Sequence, residues 1–358
     1  MAKIKKNTRP DFQMGSASIP AGTRRTVHLD VPDLYTHTGL TIPVRVLHGK
    51  KDGPTLFLSA AVHGDEINGV EIIRRVLASK RVSAATMNGT LLAVPVVNIF
   101  GFLNQSRYLP DRRDLNRLFP GTKSGSLAGR MAHLFVTEIV DRATHGIDLH
   151  TAAINRENLP QIRAVLDEEE MVNMASAFGL PVTLNTSIID GSLRAAAEAR
   201  NIKVLVYEAG EALRFDEVSI RAGVDGVISV MQEIGMLKRR TSRRKVKETY
   251  VAKRTVWVRA PQSGILRTIC RLGARVKRGD IMGYLADPLG DNEAEVIAST
   301  SGIVIGRTTI PLISEGEALF HIATFEEPDK TVAEVVDETH QMLQPDDDEL
   351  KPAESPIV

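Results

Sequence analysis

One cysteine, Cys270, stands in a chain of 358 residues. A disulfide within the chain is thereby excluded, and so is a cysteine-rich metal site; any metal has to be held by histidines and carboxylates. Excess charge is equally scarce. Lys and Arg number 45 against 44 Asp and Glu, so the chain as a whole makes no electrostatic case for nucleic acid as a partner. No apolar run approaches the ~18 residues of a membrane helix. The opening stretch, MAKIKKNTRPDFQ, is basic with no apolar segment behind it, which is not the pattern of a secretory signal. The expectation is a soluble, cytoplasmic protein with neither a membrane nor a nucleic acid as partner. What is present is 43% hydrophobic residues, enough for the core of a main domain and a smaller second one.

The pattern changes twice along the chain. Residues 25–237 alternate short apolar runs with helical spacing. GPTLFLSAAVHG, GTLLAVPVVN, HGIDLHTA and KVLVYEAGE read as strands, and NGVEIIRRVLAS and GRMAHLFVTEIVDRA read as amphipathic helices. That alternation predicts an α/β domain with a mostly parallel or mixed sheet flanked by helices. Residues 238–255 are strongly basic and read as a linker. Residues 256–325 show short strands divided by Gly, Pro and Asp, an all-β module. Residues 326–358 form an acidic tail with room for one short helix and the composition of disorder in the rest.

Polar residues collect where the apolar strands end. His63 and Glu66 follow SAAV, one helical turn apart. In an α/β sheet, ligand sites lie beyond the carboxyl ends of the strands. A lone pair of this kind is also an ordinary surface helix start. His150, 87 residues beyond His63, ends another apolar strand in IDLH. Two histidines and one glutamate make up a hydrolytic zinc set that leaves a fourth position open. Asp148 is placed either to orient a ligand or to cap local backbone. A hydrolase of this type needs a general base, and LVYEAGE offers Glu208, with Glu211 as a neighbour that spacing cannot separate from it. Four arginines fall within the eleven residues from Arg107 to Arg117. An Asn–Arg pair there, Asn116 and Arg117, suits a carboxylate, because the guanidinium fork is bidentate. Another arginine can steady an oxyanion.

HGDE, RY…DLNR, DLH and EAG, in this order, resemble the succinylglutamate desuccinylase/aspartoacylase family, which is related to the zinc carboxypeptidases. The likeness spans about residues 30 to 235. It implies a zinc carboxypeptidase-like fold with one Zn2+ per chain on His63, Glu66 and His150. It implies Glu208 as base and acid, Arg107 at the oxyanion, and Asn116 with Arg117 on a substrate carboxylate. Between RY and DLNR this chain carries LPDRR, longer than the corresponding segment of the best-known members. Arg112 or Arg113 is therefore an alternative to Arg107, and neither succinylglutamate nor acetylaspartate follows as the substrate. Family members with the longer loop include deacetylases of N-acetylated diamino acids. ENLPQIRA adds Arg163 as a candidate substrate contact.

Within 256–325, VRAPQSGILRTICRLGARVKRGDIMGYLADP resembles a biotinyl/lipoyl-type β-barrel, through Gly273, Val276, Gly279 and Asp280. A carrier would present a lysine in the tight turn, and DPLGDNEAEV has none. The module is expected to shape the pocket rim or the interface of a homo-oligomer. Three functions follow in order of fit. The first is a zinc-dependent amidohydrolase removing an acyl group from an N-acyl amino acid. The second is a metallocarboxypeptidase acting on small peptides. The third is a non-enzymatic binding or carrier protein.

Overall fold

The computed structural model describes residues 9–239, 248–327 and 329–344. Four parallel strands run side by side in the middle of a large mixed sheet, in the order Asn88–Val94, Lys51–Ala60, His145–Ala152 and Lys203–Glu211. Their sequences account for the position. Leu56, Phe57, Leu58, Leu91, Leu92, Ile147 and Leu205 are all buried, and a strand covered on both faces must be apolar on both. Helices Asn68–Ala78, Glu169–Phe178 and Glu217–Glu233 cover one face, where Ile72, Ile73, Phe178, Val227 and Val230 meet the sheet. Helix Leu127–Glu138 and the short helix Leu193–Glu198 cover the other, through Met131, Phe135, Leu193 and Ala197.

Antiparallel strands extend this centre on both sides. Leu40–His48 and Thr23–Val31 follow Asn88–Val94, and Arg156–Ala164 follows Lys203–Glu211. The sheet does not stop there. Gly302–Thr308 pairs with Arg156–Ala164 through Gly306 and Asn158, and Ala318–Thr324 and Arg254–Arg259 follow in turn. The C-terminal strands therefore do not form the separate closed barrel that their hairpin pattern predicts. Three of them continue the central sheet, and Arg275–Val276 pairs with one of these three. Four others, Gly264–Thr268, Ile281–Ala286, Glu293–Ile297 and Leu312–Ile313, make a small antiparallel sheet that does not close on itself. Val258, Leu266, Met282, Leu285, Val296 and Phe320 share one core there. Along one edge of Gly302–Thr308, Gly302 and Ile303 pair with Arg275–Val276, and Gly306 to Thr308 pair with Arg156–Ala164.

Of the basic stretch, residues 240–247 lie outside the described residues, and Tyr250–Ala252 pairs in parallel with Val182–Asn185. Within the acidic tail, Asp329–Leu343 is a helix whose Val332, Val336, Thr339 and Leu343 are buried. That spacing is one helical stripe; residues 345–358 lie outside the described residues. Among the described residues no helix is long and apolar enough to cross a membrane.

Candidate metal and active site

The carboxyl ends of three parallel strands carry the site. Beyond Ala60 the chain turns sharply, and the N–H of Glu66 bonds the carbonyl of His63 at 3.1 Å. Gly64 is what lets the turn lie flat on its neighbour, because a Cβ there would sit 2.0 Å from the carbonyl carbon of Gly101. The turn delivers His63 and Glu66 just before helix Asn68–Ala78. His150 stands near the end of the adjacent strand, level with Glu208 on the next one.

His63, Glu66 and His150 are all buried, and one ligand atom from each lies within 4.8 Å of the others. Nδ1 of His63 donates to Oε1 of Glu66 at 2.7 Å, and Nδ1 of His150 donates to Oε2 at 2.7 Å. The outward nitrogens are held by carboxylates. Nε2 of His150 meets Asp148 at 2.8 Å, and Nε2 of His63 meets Asp114 at 3.2 Å. Asp148 is fixed in turn by the Ser59 hydroxyl at 2.7 Å. Burial alone would raise the Glu66 carboxyl, yet the two imidazoles hold it well below the usual carboxylate range. Burial likewise opposes charge on both rings, but Glu66 with Asp114 raises His63, and Asp148 with Glu66 takes His150 well above its ordinary value.

This donor set fits a metal ion. Two imidazoles turn the same nitrogen onto one carboxylate, and each keeps its other nitrogen on an acid, the outer arrangement that fixes ring orientation in metal sites. A divalent cation would replace the two protons that bridge these donors, the exchange by which such sites bind. Among the described residues this is the one group of histidine, cysteine and carboxylate side chains so arranged.

The trio opens into a cavity of about 260 Å³. Glu208, Asn116, Arg117, Arg107 and Arg163 all line it. Nη1 of Arg107 reaches Glu66 at 3.2 Å and Nη2 reaches Asp114 at 2.9 Å. Arg112 and Arg113 are exposed and do not line the cavity. Asn116 spends its side-chain carbonyl on the N–H of Leu193 at 2.8 Å, which ties the arginine-rich loop to helix Leu193–Glu198. Glu211 lies apart from the cavity and accepts from the N–H of Asn155 at 2.9 Å and the Thr309 hydroxyl at 3.1 Å. Arg163 faces Glu208, with Nη1 3.6 Å from Oε1.

Several residues of the site escape a reading of sequence alone. Asp114, inside the DLNR motif, stands behind the lining, and its place between His63 and Arg107 follows only from the folded loop. Asn158, Arg156, Arg194, Trp257 and Arg307 belong to the lining itself. The Trp257 ring is stacked on His321 at 4.3 Å, and the Arg156 guanidinium lies 5.2 Å above it. Arg307 pairs with Glu157 at 3.0 Å. Arg194 is anchored by the Thr186 hydroxyl at 3.0 Å and the Ser187 carbonyl at 2.7 Å. Its pKa is lowered by burial and by the nearby charge of Arg163. Among the described residues no ion pair within 4.0 Å joins Arg117, Arg156 or Arg194 to a carboxylate, unlike Arg107, Arg163 and Arg307.

A family model described as the succinylglutamate desuccinylase/aspartoacylase catalytic domain matches residues 52–234. The N-alpha-acetyl-L-2,4-diaminobutyric acid deacetylase of Halomonas elongata is 26% identical over 294 residues, 79% of this chain and 85% of that protein. A product-bound structure of the ectoine utilization protein EutE (DoeB) from Ruegeria pomeroyi is 25% identical. It covers 86% of this chain and 97% of its own, with a TM-score of 0.75. A succinylglutamate desuccinylase/aspartoacylase structure from Rhodobacter sphaeroides, 24% identical over 84% of this chain and 96% of its own, shares the fold with a TM-score of 0.75.

Proposed function

The chain belongs to the succinylglutamate desuccinylase/aspartoacylase family, and from that premise we propose that it is a zinc-dependent amidohydrolase that removes the acyl group of an N-acyl amino acid. The observation that carries the reading is the meeting of His63, Glu66 and His150 with Glu208 on one cavity. The similarity to the diaminobutyric acid deacetylase supports the same class of reaction. His63, Glu66 and His150 would hold the zinc, a catalytic ligand set of two histidines and a glutamate. Zinc held there would supply Lewis acidity and a readily deprotonated water.

The protein's own groups do the rest. Glu208 accepts a proton from the attacking water and returns it to the leaving nitrogen. Arg107, beside the trio, aims its remaining N–H groups at the oxygen that gains charge. Asn116 and Arg117 hold the substrate carboxylate. A cavity of about 260 Å³, small beside common ligand sites, suits an amino-acid derivative better than an extended peptide. A hydrolysis screen of the zinc-loaded protein tests the reading. Free amine is expected from N-acyl amino acids, and preferential cleavage of dipeptides would replace the amidohydrolase reading with a carboxypeptidase.

Two further outcomes are expected. Arg117→Lys keeps the charge and loses the planar fork. With charge-assisted bonds contributing roughly 1.5–3 kcal/mol each, kcat/KM for carboxylate-bearing substrates should fall at least ~10-fold. An amidated substrate, already poor, should lose little more. Equal losses for acid and amide would assign Arg117 to the loop rather than the substrate. Asp148→Asn weakens the grip on His150 and should lower zinc affinity by ~10–100-fold, read by competition with a chelator. Unchanged affinity would remove the orienting role.

A further inference from the structure

We propose that Asn158 is the positioning residue for Glu208, and that the C-terminal strand acts on catalysis by seating Asn158. This rests on the reading of Glu208 as the proton carrier. The regular pairing around Glu208 breaks on both sides. The register shifts between Glu208 and Glu211 against His145–Ala152, and between Glu208 and Gly210 against Arg156–Ala164. The ladder holds the Glu208 backbone level with His150 and Gln161 and loses its register just beyond it, so pairing alone does not aim the side chain. A side-chain tether takes over. Nδ2 of Asn158 donates to Oε2 of Glu208 at 3.0 Å, the one side-chain hydrogen bond to Glu208 among the described residues. Arg163, at 3.6 Å from Oε1, is too far for a direct bond of normal length. Gln161, which registers with Glu208, is fully buried and has neither end of its amide partnered, so it does not serve. With Oε2 held, Oε1 is the oxygen left for chemistry.

Asn158 can lie across the sheet because both of its registered neighbours are glycines, Gly210 on one side and Gly306 on the other. A Cβ on Gly306 would come 2.9 Å from Oδ1 of Asn158 and 3.3 Å from Cβ of His321. The far end of the Asn158 side chain is the part free to yield. Gly306 thus belongs to the catalytic apparatus through Asn158, although its strand lies far along the chain from the metal ligands.

The experiment compares Asn158→Ala, Asn158→Asp and Gly306→Ala in the full zinc-loaded chain, with zinc content, kcat and KM as readouts. Asn158→Ala should lower kcat by ~10–100-fold, the scale of a misplaced catalytic group, with zinc content unchanged and KM near the parent value. Asn158→Asp keeps the shape and turns the donor into a second carboxylate, so its kcat should be at least as low. Gly306→Ala leaves the amide in place but displaces it, and kcat should fall roughly several-fold with KM unchanged. In a Glu208→Gln background Asn158→Ala should add no further loss, because the tether then has no base to aim. Parent-like kcat in Asn158→Ala and Asn158→Asp overturns the proposal, and so do losses that multiply in the double variant. If Glu208→Gln alone keeps parent turnover, the reading of Glu208 fails first, and the role of Asn158 fails with it.

Discussion

Glu208→Gln is expected to lower kcat by at least ~10²-fold, within the 10²–10⁴ range of general acid–base contributions, while zinc content stays at the parent level. The substitution preserves volume and removes the proton-accepting oxygen. Its neighbours favour a specific loss over a collapse. Glu208 is largely shielded, with a side chain 15% exposed beside Arg163 and tethered by Asn158, and glutamine can keep its carbonyl toward Asn158. The companion variant is Glu211→Gln. Glu211 bonds the Asn155 N–H and the Thr309 hydroxyl outside the cavity, so turnover should change by no more than a few-fold. A reversed pair of results would move the proton-carrying role to Glu211.

The second large effect falls on the metal. His63→Ala and His150→Ala each leave two donors where a catalytic site needs three, and zinc affinity should fall by more than the ~100-fold ascribed to outer-shell partners. The two variants differ in what else they disturb. Removing His63 frees Asp114, whose side chain is 16% exposed and keeps Arg107 as a partner at 2.9 Å. Removing His150 strands Asp148, which is 2% exposed and, among the described residues, retains only the Ser59 hydroxyl. Breaking such a buried pair costs about 3–5 kcal/mol. His150→Ala should therefore also melt at a lower temperature than His63→Ala. Elemental analysis alongside thermal melting separates the two losses. Full zinc retention by both variants would exclude these histidines as ligands.

The central strands and the residues at their ends were legible in the sequence because local rules suffice for both. Apolar runs of 4–8 residues bounded by glycine mark strands buried on both faces, and in such a sheet chemistry collects at the carboxyl ends. His63, Glu66, His150 and Glu208 stand where those two statements put them. Arg107, Arg112 and Arg113 could not be separated by spacing. Exposure separates them, since Arg107 reaches Glu66 and the other two face solvent. Arg163 reads from sequence as a candidate substrate contact, and it lines the cavity, opposite Val206 in register and beside Glu208. Asn158, Trp257 and Arg307 were illegible for a deeper reason. Asn158 arrives through the antiparallel pairing of Arg156–Ala164 with Lys203–Glu211, and Trp257 and Arg307 through Gly302–Thr308 pairing with Arg156–Ala164, and nothing in a hairpin pattern says which distant edge it will meet.

One metal at His63, Glu66 and His150 is proposed to make this chain an amide hydrolase of N-acyl amino acids. Amine release from an N-acyl amino acid, followed through chelation and zinc titration, tests it most directly. Activity should disappear with the metal and return in full at about one zinc per chain, in the parent protein but not in His63→Ala. Hydrolysis that continues in protein stripped of metal, or that returns equally in His63→Ala, would contradict it.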